Sequence, residues 1–292
     1  MSNHAIAEEN ELSVLKVTHV FGHTRRTEVA RAIWSKSSAR MADKMAQRTV
    51  RRLIDNRQLV DTPNTLGGHS LILARSGAAR LRDCGIDAHQ GGDMSSIMGP
   101  QFFHRTLGTC YLIHRQTQGH TVYGEHAIAI GQSFVGRQEL ERRFGKVPDG
   151  LVLVSARDHE HIPGRMLAEW VEVESSRKSF HELSRVLDVA WQLGGWLDDA
   201  QTVILDRVVF VYDQRQAHEQ AIIQALQRYL PTQPPGNTRE LLASVALARC
   251  RIRSPLIWGG CEEIDGRMLL DAGKLRMKAA NDPFSTYPTD AA

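Results

Sequence analysis

The chain has 292 residues, 42% hydrophobic and 24% charged, which is enough for one large or two smaller globular domains. A net charge of +3 excludes a generic polycation, so any nucleic-acid footprint must be local. No run approaches the roughly 18 apolar residues of a membrane span, Met1 to Asn10 is polar and acidic rather than a signal peptide, and Cys84, Cys110, Cys250 and Cys261 have neither disulfide-framework nor zinc spacing. These features predict a reduced, soluble cytoplasmic protein.

Glu11 to about Val20 reads as a first helix, with Leu12 and Leu15, then Val14 and Val17, at helical spacing. A second runs from Thr24, read as its cap, to Trp34. A third covers Ser37 to Asn56, with Met41, Met45, Val50, Leu53 and Ile54 apolar. Leu59-Val60, a turn-rich stretch ending in Gly67-Gly68, and a strand from Ser70 to Ala74 read as a hairpin. A short helix over Ser76–Arg82 follows. Glycines and Pro100 between Asp83 and Pro100 then break any periodicity.

Beyond that break the pattern is mixed. Helices are expected over Phe102–Gln118, most of Gly124–Gly145, Ser179–Leu193, Glu219–Tyr229 and Arg239–Ala248. Strands are expected at Thr121–Tyr123, Leu151–Ser155, Met166–Glu174, Val203–Tyr212 and Arg251–Trp258, with a loop over Pro231–Asn237. The order divides the chain into an N-terminal unit (11–84), a linker (85–100), an α/β unit (101–279) and a loose tail (280–292).

Three helices and a hairpin are in winged helix-turn-helix order, in which the third helix enters the DNA major groove and the hairpin lies along the backbone. The basic residues support that reading. Between Met1 and Cys84 stand 14 Lys and Arg against 8 Asp and Glu. Arg40, Lys44, Arg48 and Arg51 recur at three- and four-residue spacing on the third helix, opposite its apolar stripe, with Arg52 beside them. Such a face matches a phosphate lattice. Arg25 and Arg26, at the start of the second helix, complete the expected DNA-binding set. The plainer reading makes the charges a solvated helix face.

In the second unit, Glu172 and Glu174 are two residues apart on a strand, so they share a side, while Val171 and Val173 face the other way. Adjacent like charges repel unless a cation joins them, and an oxygen cluster with Asp149 suits Mg²⁺ or Mn²⁺. Asp149 also admits a turn role after Pro148, Glu172 and Glu174 the solvated face of an edge strand, Glu125 a helix N-terminal acid, and Lys178 a solvated side chain.

Pro148-Asp149 followed by Glu172-Val173-Glu174 resembles the PD-(D/E)XK nuclease core. The order of the basic helical unit, His104-Arg105, Glu125, Pro148-Asp149 and Glu172-Val173-Glu174 resembles the replication-relaxation family of mobile elements, which includes MobC-class relaxases. The resemblance spans roughly residues 11–229. It implies a winged helix followed by a restriction-endonuclease-like α/β domain that nicks DNA during mobilisation or replication. It further implies that Asp149, Glu172 and Glu174 hold Mg²⁺ or Mn²⁺ and that Glu125 completes the catalytic set. Glu174 stands where the motif's lysine belongs; Lys178, ahead of the next helix, is the substitute. DNA is the expected partner, with other transfer or replication proteins and a second copy of the chain left open. The alternative is a non-catalytic DNA-binding regulator or replication accessory factor with a degenerate nuclease fold.

Other motifs carry less. His159 and His161 read as a surface turn, and His104 and His114 as satisfied histidines. No nucleotide-binding glycine motif, nucleophile elbow or Ser-His-Asp pattern stands out in the sequence.

Overall fold

The computed structural model describes residues 2–91, 97–154, 166–192, 194–233, 238–253 and 256–271. The turn holding His159 and His161 and the tail 280–292 lie outside these residues. The protein is a mixed α+β structure. Among the described residues, no helix is long and apolar enough to cross a membrane.

The first unit comprises α1 (Asn3–Phe21), α2 (Arg26–Ile33), α3 (Ala39–Asp55), β1 (Leu59–Pro63), β2 (His69–Leu73) and α4 (Arg75–Asp83). Ser38 caps α3 by accepting from the Met41 amide at 3.4 Å, so the helix starts two residues inside its expected range. Thr24 does not cap α2. Its backbone bridges to Leu71 and its hydroxyl meets that of Thr18 at 3.1 Å, which leaves Arg25 as the N-cap. Val14, Leu15, Val29, Ala46, Val50, Leu53, Leu71 and Leu81 close one apolar core.

The stretch 85–100 is not a plain tether. Ala88 and Ile97 are fully buried, and Gly91 donates to the Leu73 carbonyl at 2.7 Å.

The second unit holds α5 (Phe102–Thr117), β3 (Thr121–Gly124), α6 (Glu125–Ala129), α7 (Arg137–Phe144), β4 (Gly150–Val154), β5 (Met166–Glu174), α8 (Phe180–Ala190), β6 (Val203–Asp213), α9 (His218–Tyr229), α10 (Thr238–Ala243), β7 (Val245–Arg253), β8 (Ile257–Asp265) and α11 (Gly266–Asp271). The six strands lie in chain order in one sheet: β3, β4 and β5 antiparallel, β5, β6 and β7 parallel, and β8 antiparallel to β7. The parallel steps require crossovers, which α8, α9 and α10 supply.

Helices cover both faces. On one, Leu183, Val186, Ile222 and Leu226 pack on Trp170, Leu205, Phe210 and Leu247. On the other, Leu107, Tyr111 and Leu112 of α5, with Val17 and Phe21 of α1, pack on Val171, Val173, Val209 and Val211. Thus α1 serves the helical unit with Val14 and Leu15 and the sheet with Val17 and Phe21.

Three expectations change here. Gly124–Gly145 forms two short helices. The second ends at Gly145, whose φ of +63° is a left-handed stop that favours glycine. The helix expected over Arg239–Ala248 ends at Ala243, because Val245 to Ala248 enter the sheet as a fully buried run. Such a run lacks alternation and cannot be told from a helix by periodicity. The single strand expected over Arg251–Trp258 is instead the end of β7 and the start of β8.

Candidate functional site

Asp149 immediately precedes β4. Its amide donates to the Val171 carbonyl at 3.0 Å, and its Oδ2 accepts from the Val173 amide at 2.7 Å. This backbone lock places the carboxylate where β4 and β5 meet, next to Glu172. Neither Glu172 nor Glu174 belongs to a solvated edge: β5 lies between β4 and β6, Glu172 has no exposure and Glu174 only 2%. Glu172 and Glu174 share one face of β5, with Val171 and Val173 in the core on the other.

Each buried glutamate has a cation. Lys146 Nζ lies 2.9 Å from Glu172 Oε2, and Lys178 Nζ lies 2.8 Å from Glu174 Oε1 and 3.9 Å from Glu172. Glu172 Oε1 also accepts from the Trp170 indole at 2.7 Å. Burial and the neighbouring Asp149 charge push the Glu172 carboxyl up to about 7 against the pull of both lysines. Burial raises Glu174 despite Lys178. Burial disfavours the Lys178 ammonium, but Glu174 and Glu172 outweigh it and its pKa rises. Lys178 therefore reaches inward from the segment before α8. Lys146 is a second lysine at the site, and its only signal in the sequence is its position three residues before Asp149.

Two further side chains converge on Asp149. His104, on the first turn of α5, places Nε2 3.0 Å from Asp149 Oδ1 and Nδ1 3.0 Å from Ser175 Oγ. Burial works against the imidazolium, but the Asp149 hydrogen bond and charge prevail and raise its pKa. Burial likewise opposes the Asp149 carboxylate, and His104 together with the Val173 amide holds it below its usual range. Glu125 opens α6 and pairs with Arg105 at 2.8 Å. One ligand atom from each of His104, Glu125 and Asp149 lies within 4.8 Å of the others. The three residues help line a cavity of about 20 Å³, the scale of one ion or water. An imidazole with two carboxylates suits Mn²⁺ or a related first-row ion as well as Mg²⁺.

The structure therefore brings Asp149, Glu172, Glu174 and Lys178 together but gives both glutamates to lysines. The donors that converge with Asp149 are His104 and Glu125. His104, read from the sequence as an ordinary satisfied histidine, is central.

The expected DNA-binding residues divide. Arg40, Lys44, Arg48, Arg51 and Arg52 are exposed on α3. Arg51 pairs with Asp55 at 3.1 Å, Arg52 with Glu11 at 2.9 Å, and Arg26 with Asp43 at 3.1 Å. Arg25 faces inward. Only 12% of its side chain is exposed, and its guanidinium binds Glu28 at 2.8 Å and the Leu256 carbonyl at 3.0 Å. It ties α2 to the sheet unit and does not contribute to the basic face.

No protein-family model matches the chain, and neither a curated protein nor a solved structure matches it.

Proposed function

We propose that this chain is a DNA-binding protein of a plasmid or mobile element that nicks DNA with a divalent ion, through a nuclease-like α/β unit fused to a winged-helix unit. The observation that carries the reading is the convergence of His104, Glu125 and Asp149 on one small cavity, backed by Glu172, Glu174 and two lysines. The helix–hairpin order of the first unit and the exposed basic face of α3 supply a means of holding DNA.

In this reading Asp149, His104 and Glu125 would hold Mg²⁺ or Mn²⁺. Such an ion polarises a phosphate and lowers the pKa of an attacking water. The chain's own groups account for the rest. The Val173 amide and Ser175 hydroxyl orient Asp149 and His104. Lys146 and Lys178 place positive charge beside the carboxylates, supplying the role that the motif's lysine would have at Glu174.

Supercoiled plasmid carrying the protein's neighbouring DNA is expected to convert to open circle with Mn²⁺ and not with EDTA. Asp149→Ala should lower that rate by at least about 100-fold while gel-shift affinity is kept. Full-rate nicking by the variant would remove Asp149 from the chemistry.

A second reading is a non-catalytic DNA-binding regulator, favoured by the lysine against each buried glutamate, which offsets the charge of both without an ion. It predicts retained DNA binding, no nicking, and no rise in melting temperature with Mn²⁺. An ion held by the folded state alone must raise that temperature.

A further inference from the structure

Cys250 and Cys261 are direct partners across the antiparallel pair of β7 and β8, with their sulfurs 3.6 Å apart as free thiols. Directly opposed residues in such a pair hold their Cα atoms about 4.5–5.5 Å apart, within the range a disulfide spans. The sulfurs need to close by about 1.5 Å, which side-chain rotation supplies.

The two thiols are unequal. Cys250 is fully buried, and burial together with the adjacent Cys261 sulfur pushes its thiol well up. Cys261 is half-buried and is the sulfur that a reagent reaches first. The segment between them joins the two halves of the molecule. The Leu256 carbonyl accepts from Arg25 at 3.0 Å, and the Arg31 guanidinium lies 4.7 Å above the Trp258 ring. Both arginines belong to the α2 region, immediately before the basic α3.

We propose that Cys250 and Cys261 are a redox-modification site, a dithiol that a small-molecule disulfide such as oxidised glutathione converts to an intramolecular disulfide, locking together the two strands of the β7–β8 hairpin whose tip contacts the helical unit. The Cys261 thiolate attacks one glutathione sulfur and releases one glutathione thiolate. Cys250, giving up its proton, then attacks the Cys261 sulfur and releases the second. Two protein thiols and one oxidised glutathione become one protein disulfide and two glutathione thiols. In a reducing compartment the pair stays open, and closure is a transient state.

The test uses the full chain, incubated with oxidised glutathione, alkylated under denaturing conditions and mapped by mass spectrometry. A Cys250–Cys261 cross-linked peptide is expected, with two of the four cysteines alkylated and all four recovered after dithiothreitol. The oxidised chain is expected to melt at higher temperature, with the shift reversed by reduction. Cys261→Ser is expected to yield no cross-link, while Cys110→Ser and Cys84→Ser retain it. Glutathione found only on Cys84, or on Cys261 without passage to the internal bond, overturns the proposal. The mapping of the unmodified chain decides this even if a variant fails to fold.

Discussion

Strand β5 buries carboxylates on both faces, and the two faces neutralise them differently. On the α5 face, Glu169 Oε1 accepts from Arg115 and Arg207 at 2.8 Å each, and Arg207 also binds Glu263 at 2.8 Å, whose other oxygen takes the Tyr111 hydroxyl at 3.0 Å. On the opposite face, Glu172 and Glu174 have Lys146 and Lys178, while at the strand end Asp149 meets His104, which comes from α5. Guanidinium groups are permanently charged, planar and forked, so the first cluster is a fixed clamp. An ammonium on its flexible stem reorients readily and an imidazole changes protonation, which suits a site that handles ions and protons. The same strand thus carries a brace and a candidate reaction centre, distinguished by the cations around them.

The largest expected effect tests the brace. Glu169→Gln removes the more deeply buried of the two carboxylates that Arg115 and Arg207 share, leaving both arginines only Glu263. Breaking a buried pair from one side costs about 3–5 kcal/mol, readable by urea denaturation. Lys178→Met on the other face, where the lysine is 19% exposed, should cost clearly less. Equal losses would break the comparison.

A smaller effect follows from titration. Glu172 holds its proton up to about 7, against 4.5 for an ordinary glutamate. The folded chain therefore binds more protons than the unfolded one across that window, and stability falls as pH rises through it. The stability of the unmodified chain relative to Glu172→Gln should drop by about 3 kcal/mol between pH 4.5 and above pH 7. A flat difference would show that the lysines cancel the burial. The His104–Asp149 pair loses stability in the same direction, as any raised histidine does. Its contribution is full below the histidine's ordinary pKa and fades as pH rises through the elevated one. Measuring His104→Gln beside Glu172→Gln separates the two.

The smallest effect on folding belongs to the exposed face of α3. Arg48→Ala should change stability by no more than about 0.5 kcal/mol yet weaken DNA binding and reduce its salt dependence by about one ion. Arg25→Ala is the contrasting variant. It removes a buried tie to Glu28 and Leu256, so its main effect should be on melting temperature.

Much of the fold could be read locally. Period-two alternation put Glu172 and Glu174 on one side of a strand, and the 3.6-residue repeat put Arg40, Lys44, Arg48 and Arg51 on one helix face, because both geometries repeat over a few residues. The hairpin after α3 followed from its turn chemistry. The β7–β8 hairpin was misread because its first strand opens with a buried run, Val245 to Ala248, that shows no alternation. What the amino-acid order alone determined was therefore the succession of elements and the side each charge takes on its own element. What the tertiary structure decided was which charges meet. His104 reaches Ser175 across 71 residues and Asp149 across 45, and Lys146 before β4 and Lys178 after β5 meet at Glu172 because the two strands are antiparallel. Arg25 turns away from the basic face toward a carbonyl 231 residues distant. These meetings depend on how the sheet and its helices pack, and burial then sets the strength and protonation of each pair.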